Sequence, residues 1–203
     1  MEIEYEDDKI SFEKELTVLD ELALDFSHIL QSYEVEHVFV AGYVAILFGR
    51  SRVSEDVDMM VEKISKDKFL SLWDGSEDYY CHNTSDPSEA YDEYLEKEIA
   101  IRFSKEDVVI PNVEFKFANT EQQKRVLKEK ITVVLNGKIL PIARIESQIS
   151  YKLYLGSKKN IEDAKYLFEI FEPKLDREVL ERNLKNLDVP VSRLEVLSGD
   201  EVG

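Results

Sequence analysis

Apolar residues recur at near-helical spacing through Ser11–Tyr33, where Leu16, Leu19, Leu22, Leu24, Phe26 and Leu30 form one stripe, and the pattern predicts an amphipathic helix there. The period then changes. His37–Ala41 is a short run rich in Val and Phe, predicted as a buried strand that Gly42 ends. Tyr43–Gly49 is apolar and free of turn residues, enough for one to two turns of buried helix. A polar loop, Arg50–Glu55, leads into a second strand, Asp56–Val61. Ser65–Trp73 reads as a helix with Ser65 as N-cap. Asp74–Glu98, the least regular stretch, is predicted as a long loop holding a short helix at Ser88–Glu96. Strands at Ile99–Phe103 and Val113–Phe117 follow, then a helix at Thr120–Lys130 capped by Thr120. Ile131–Leu135 and Lys138–Ile142 flank Asn136-Gly137, a hairpin signal because both turn residues tolerate positive φ. Helices at about Glu146–Leu155, Ile161–Phe171 and Leu175–Leu187 come next, and Ser198–Gly203 is expected to be a frayed tail.

This order predicts an α+β fold with a mixed β-sheet core, flanking helices and a helical segment at the C-terminal end. The division expected is an α/β core with its N-terminal helix over residues 1–143 and a helical subdomain over 144–203. Hydrophobic residues make up 43% of the 203, enough for a real core. The longest apolar stretch, Val38–Phe48, is far short of the roughly 20 residues that span a bilayer. Met1–Asp8 is acidic and lacks the pattern of a signal peptide, so a cytoplasmic location is expected. Cys81 is the sole cysteine, which excludes an internal disulfide and a multi-cysteine zinc site. His28, His37 and His82 have no metal-ligand spacing.

Charge narrows the partners. A formal charge of −17 is opposite to what an extended nucleic-acid surface needs, so none is expected. A small anionic ligand remains compatible where a cation supplies the positive charge. Asp56 and Asp58 supply a place for one. Two apart on a strand, they leave the same face, while Val57 and Met59 point into the core. With 43 acidic residues in the chain, such pairs arise by chance roughly nine times. This pair differs in context, lying on an apolar strand behind a Gly-containing turn and two arginines. Its mutual repulsion calls for a divalent cation, Mg²⁺ or Mn²⁺. Gly42 sits where a strand turns into a helix and permits close approach to the backbone, and Arg50, Arg52 and Ser54 are placed for phosphate or sugar. Glu114, between the core-facing Val113 and Phe115, projects from its strand as the aspartates do. The competing reading is a surface glutamate paired with Lys116. Tyr79, Tyr80, Tyr91 and Tyr94 read as packing, with base stacking as the alternative.

The segment from Val40 to Met59, with its apolar strand, Gly-containing turn, short helix, Gly49-Arg50 and Ser54-Glu55-Asp56-Val57-Asp58, resembles the nucleotidyltransferase superfamily with the DNA polymerase β-like fold. The similarity is to small prokaryotic members, including the nucleotidyltransferase toxins of type IV toxin–antitoxin pairs. It implies that Asp56 and Asp58 hold Mg²⁺ for a nucleoside triphosphate and that Glu114 is the third carboxylate, which helps activate the attacking hydroxyl. Ile142–Leu153 and Gly156–Ala164 resemble two later helices of the same family. They imply Lys152, and also Lys158 and Asp163, at the triphosphate side. For Lys152 the competing reading is a solvated lysine, and for Asp163 a helix-start charge. The resemblance runs from about Val38 to Phe171. Ala41 stands where the family has a first glycine, Glu114 where it has aspartate, and Asn160 where it has aspartate. The implied activity is metal-dependent transfer of a nucleoside monophosphate to a hydroxyl of a small molecule, a protein or a tRNA end. The alternative is a catalytically impaired member that binds a nucleotide or a small helical protein partner.

Overall fold

In the computed structural model, which describes residues 2–6, 8–106 and 108–197, the strands are β1 Glu4–Glu6, β2 Lys9–Phe12, β3 His37–Phe39, β4 Asp56–Val61, β5 Tyr79–Cys81, β6 Ile101–Lys105, β7 Asn112–Phe117, β8 Ile131–Leu135 and β9 Lys138–Ile142. The helices are α1 Val18–Ser32, α2 Ala41–Leu47, α3 Lys66–Asp74, α4 Pro87–Glu89, α5 Glu121–Lys128, α6 Ile145–Leu155, α7 Lys158–Phe171 and α8 Arg177–Asn186. The strands form one mixed sheet in the order β1-β2-β8-β9-β3-β4-β7-β6-β5. β2 with β8, β3 with β9 and β4 with β7 pair parallel, and the other neighbours pair antiparallel. The fold is the mixed α/β arrangement expected, and the Asn136-Gly137 hairpin forms with both residues at positive φ.

Alternation decides which face of the sheet is which. Val57, Met59 and Val61 are fully buried on one face of β4, as are Val113 and Phe115 on β7. α1 lies against β9, β4 and β7. One apolar cluster joins these residues to Phe26, Leu30 and Phe69 and reaches Leu197. The other face carries a smaller cluster of Val38, Met60, Ala118, Leu127 and Ala143 beneath α5. Among the described residues, no helix is long and apolar enough to cross a membrane.

Several boundaries differ from the sequence reading. The helix expected from Ser11 starts at Val18, because Thr17 and Asp20 form a reciprocal capping box. Lys9–Phe12 instead alternates, with Ile10 and Phe12 buried, and pairs with β8. β5 lies inside the stretch read as loop, and the short helix there runs on from α4 through a π segment, Ala90–Tyr94, and a 3₁₀ turn, Leu95–Lys97. β3 stops at Phe39 and α2 begins at Ala41, so Gly42 lies in the first turn of the helix. α7 starts at Lys158 on a Ser157 cap. The expected tail, Ser198–Gly203, lies outside the described residues.

Candidate active site

The parallel pairing of β4 with β7 sets Asp58 directly opposite Glu114 and Asp56 opposite Asn112. Paired residues share a face, so Asp56, Asp58 and Glu114 project from the same side of the sheet. One carboxylate oxygen from each lies within 4.8 Å of the others. All three side chains are partly buried. Crowding shows in the protonation of Asp58. Burial first, then the charges of Asp56 and Glu114, push its carboxyl from 3.8 up to about 6, against the pull of Lys116 and Lys152. Ser54 donates to Asp56 Oδ1 at 3.2 Å and orients that carboxylate.

Glu114 does not pair with Lys116. Arg102 Nη2 donates to Glu114 Oε2 at 2.8 Å. The reason is register: Arg102 faces Glu114 across the β6–β7 ladder, about 5 Å away, whereas Lys116 lies two positions along the strand, nearly 7 Å off. Lys116 stands opposite Met60, and its charge pulls the Asp58 carboxyl downward. Sequence reasoning missed Arg102, and only strand register could have shown it.

A cation cluster flanks the carboxylates. The loop after α2 carries Arg50 and Arg52, α6 carries Lys152 and α7 carries Asp163, and α2, α6 and α7 pack together. Asp163 has no exposed surface and accepts from Lys152 Nζ at 2.8 Å and from Arg52 Nη1 at 2.5 Å. Arg50 forms a third ion pair with it, and Arg50 Nη2 reaches Glu162 at 2.9 Å. Lys152 is only 2% exposed, so neither it nor Asp163 is a solvated surface charge. Burial, then Arg52 and Arg50, press the Lys152 ammonium down to about 7. Burial and the neighbouring Arg50 likewise lower Arg52. In direct ion pairs three basic side chains meet two carboxylates, Asp163 and Glu162, and the charges of Asp56 and Asp58 act on Arg52 and that of Asp58 on Lys152. Lys158 is exposed in the first turn of α7 and shares none of these contacts among the described residues. Asn160 lies in the Ser157 cap.

α2 is held at both ends. Tyr43 donates to the buried Asp20 of α1 at 3.0 Å, and Tyr166 of α7 donates to the carbonyl of Phe48 at 3.1 Å. A Cβ on Gly42 would come within 2.6 Å of Arg52 Nη2, so this glycine makes room for the guanidinium. Ala41 has φ +60°, the left-handed region that glycine occupies without a Cβ penalty. Ala41→Gly is therefore expected to stabilise the chain by about 1 kcal/mol and raise its melting temperature roughly 2–4 °C in a calorimetric scan.

Of the tyrosines, Tyr91 is buried and donates to the carbonyl of Ile64, and Tyr79 donates to Asp25, so both serve packing.

No family model matches the sequence, and no curated protein does. Among solved structures, JHP933 from Helicobacter pylori is 17% identical, with 89% of this chain and 79% of that chain covered and a TM-score of 0.42. An antigenic nucleotidyltransferase-like protein from Paracoccidioides brasiliensis is 14% identical, with 89% of this chain and 92% of that chain covered and a TM-score of 0.57. This chain has a nucleotidyltransferase-like fold. Within it, the carboxylate trio sits on β4 and β7, and the cation cluster at the meeting point of α2, α6 and α7.

Proposed function

We propose that this chain is a metal-dependent nucleotidyltransferase that moves a nucleoside monophosphate from a nucleoside triphosphate to a hydroxyl acceptor. One observation carries the reading: three carboxylate oxygens from two paired strands converge within 4.8 Å beside a cluster of three cations. The donor set is all oxygen and anionic, which suits a hard divalent ion such as Mg²⁺ or Mn²⁺. Burial, and then the charges of Asp56 and Glu114, hold the Asp58 carboxyl up at about 6 without such an ion.

Asp56, Asp58 and Glu114 would hold the metal. When bound, it neutralises charge on the α-phosphate and lowers the pKa of the acceptor hydroxyl. Arg52 and Lys152, with Arg50 behind them, hold the β- and γ-phosphates and orient the pyrophosphate away from the carboxylates. Glu114 takes the proton of the acceptor hydroxyl. The hydroxyl oxygen bonds to the α-phosphorus, the bond to the bridging oxygen breaks, and pyrophosphate leaves with that electron pair. Arg102 keeps Glu114 in place and also competes with the cation for it. Arg102→Ala is therefore expected to tighten Mn²⁺ binding roughly three- to tenfold, read by titration with an EPR signal.

Incubation with α-labelled nucleoside triphosphates, Mn²⁺ and acceptors drawn from tRNA, proteins and small polyhydroxy compounds tests the activity. Label is expected to pass to one acceptor class and to vanish in Asp56→Asn. Label transfer that persists in Asp56→Asn would count against the assignment of the site.

A further inference from the structure

Asn112 lies on the same sheet face as the three carboxylates. It stands directly opposite Asp56 in the β4–β7 register and two positions before Glu114 on β7. Neighbouring strands run about 4.8 Å apart, and alternate residues of one strand nearly 7 Å, so its side chain borders the same space. The residue is 7% exposed, and its Oδ1 is closed to water and makes no hydrogen bond among the described residues.

The orientation of the amide is fixed. Nδ2 donates to the carbonyl of Glu55 at 3.3 Å, alongside the backbone N–H of Asn112 at 2.9 Å. Exchanging the two ends of the amide would set Oδ1 against that carbonyl, oxygen to oxygen. Oδ1 is therefore turned away from Glu55. The nearby hydroxyls are committed elsewhere: Ser54 donates to Asp56, and Ser104 of β6 donates to the carbonyl of Val108. Four other buried polar atoms lack a hydrogen bond among the described residues, and each belongs to a charged group. Arg144 Nε and Glu146 Oε2 face each other at 3.6 Å, Asp163 Oδ1 is in the Arg50 ion pair, and Arg52 Nε is in the cation cluster. Asn112 Oδ1 is the neutral atom of the set and has no such partner.

A buried acceptor left without a donor costs about 1–3 kcal/mol, and such groups call for an ion or a water to complete them. A water bonds to an oxygen at about 2.8 Å, and the surroundings of Oδ1 admit none. A hard divalent ion approaches its oxygens to about 2.1 Å and takes amide carbonyls as well as carboxylates. We propose that Asn112 Oδ1 is a fourth oxygen donor to the cation held by Asp56, Asp58 and Glu114. The inference rests on the metal-dependent reading above and adds a neutral ligand to it. With four oxygens from the chain, the ion binds before any triphosphate arrives.

Mn²⁺ titration of the full chain without nucleotide, read by its EPR signal, tests this on the parent, Asn112→Leu and Asn112→Asp. A purely structural Asn112 acts through Nδ2, which both variants lose. A ligand oxygen is lost in the first and kept in the second. Asn112→Leu is expected to weaken Mn²⁺ about tenfold or more, and Asn112→Asp to bind at least as tightly as the parent. The metal-free melting temperature of Asn112→Leu is expected to stay within about 2 °C of the parent, because the Glu55 carbonyl keeps the backbone N–H and an unpaired acceptor is removed. ENDOR of the parent, loaded with Mn²⁺ and labelled with ¹³C at the asparagine Cγ, depends on no variant. A through-bond coupling to that carbon is expected, and its loss in Asn112→Asp assigns it to this residue. A purely dipolar coupling, or Mn²⁺ affinity unchanged in Asn112→Leu, overturns the proposal and leaves the three carboxylates standing. A parent chain that binds no Mn²⁺ overturns this proposal and the metal reading together.

Discussion

Asp163→Asn is expected to destabilise the chain by about 3–5 kcal/mol and lower the melting temperature by roughly 6–20 °C. Asp163 is fully buried and is the shared partner of Arg50, Arg52 and Lys152. Its neutralisation leaves three clustered basic groups with Glu162, which reaches Arg50 alone, as their one remaining ion-pair partner among the described residues, and with the more distant charges of Asp56 and Asp58. Breaking a buried pair costs more than the pair is worth, because the surviving charge stays desolvated. The loss depends on pH. Lys152 sits near 7 in the folded chain and at its ordinary 10.5 when unfolded, so between these values the unfolded chain binds the extra proton and stability rises with pH. In the asparagine variant, which lacks the anion that favours the charged amine, the rise begins at lower pH, and its deficit narrows as pH climbs through 7. Tripolyphosphate is expected to raise the variant's melting temperature more than the parent's, since it replaces the missing negative charge. Scanning calorimetry from pH 6 to 10, with and without tripolyphosphate, reads each of these. An unchanged melting temperature in Asp163→Asn would show that the cluster does not depend on this carboxylate.

Asp58→Asn is expected to act in the opposite direction. Folding raises the Asp58 carboxyl from 3.8 to about 6, so the folded chain holds more protons across that interval. Its contribution to stability is complete below pH 4 and is lost as pH climbs through 6. An amide carries no charge to repel Asp56 and Glu114. Without metal at pH 8, the variant is therefore expected to exceed its parent in stability by up to about 3 kcal/mol, a difference that fades toward pH 4. Mn²⁺ reverses the order, because it binds the folded parent and finds one ligand fewer in the variant. A gain in stability that coincides with a loss of metal response is the mark of a functional site held at a cost to the fold. Denaturant melts at pH 4 and pH 8, with and without Mn²⁺, give the four values required.

The carboxylates were legible because strand geometry is local. Asp56 and Asp58 needed only a period of two, and Glu114 needed only the burial of its neighbours Val113 and Phe115. The partners of these groups were not legible, because they come from elsewhere in the chain. Arg52 and Asp163 are 111 positions apart, and nothing in either local pattern points to the other. Asp163 has the sequence context of an ordinary helix-start charge, and Gln148 that of an exposed helix residue. Asp163 is buried where α7 packs on α6, and Gln148 because α6 is covered by α7 and α8. The hairpin and the helix caps at Ser65 and Thr120 were readable from turn chemistry. β1, β2 and β5 were missed because three- and four-residue strands carry too little alternation to stand out. The Thr17–Asp20 capping box was present in the sequence and marks where the first helix begins.

Binding of the four nucleoside triphosphates, each as an analogue blocked between the α- and β-phosphates, bears most directly on the three carboxylates. Calorimetric titration with and without Mn²⁺, on the parent chain, Asp58→Asn and Glu114→Gln, is the measurement. Tight binding of at least one analogue is expected only in the parent and only with Mn²⁺, with affinity falling at least tenfold when either the ion or either carboxylate is removed. Equal affinity with and without Mn²⁺, or equal affinity in the parent and Asp58→Asn, would contradict a metal-bridged triphosphate at this site.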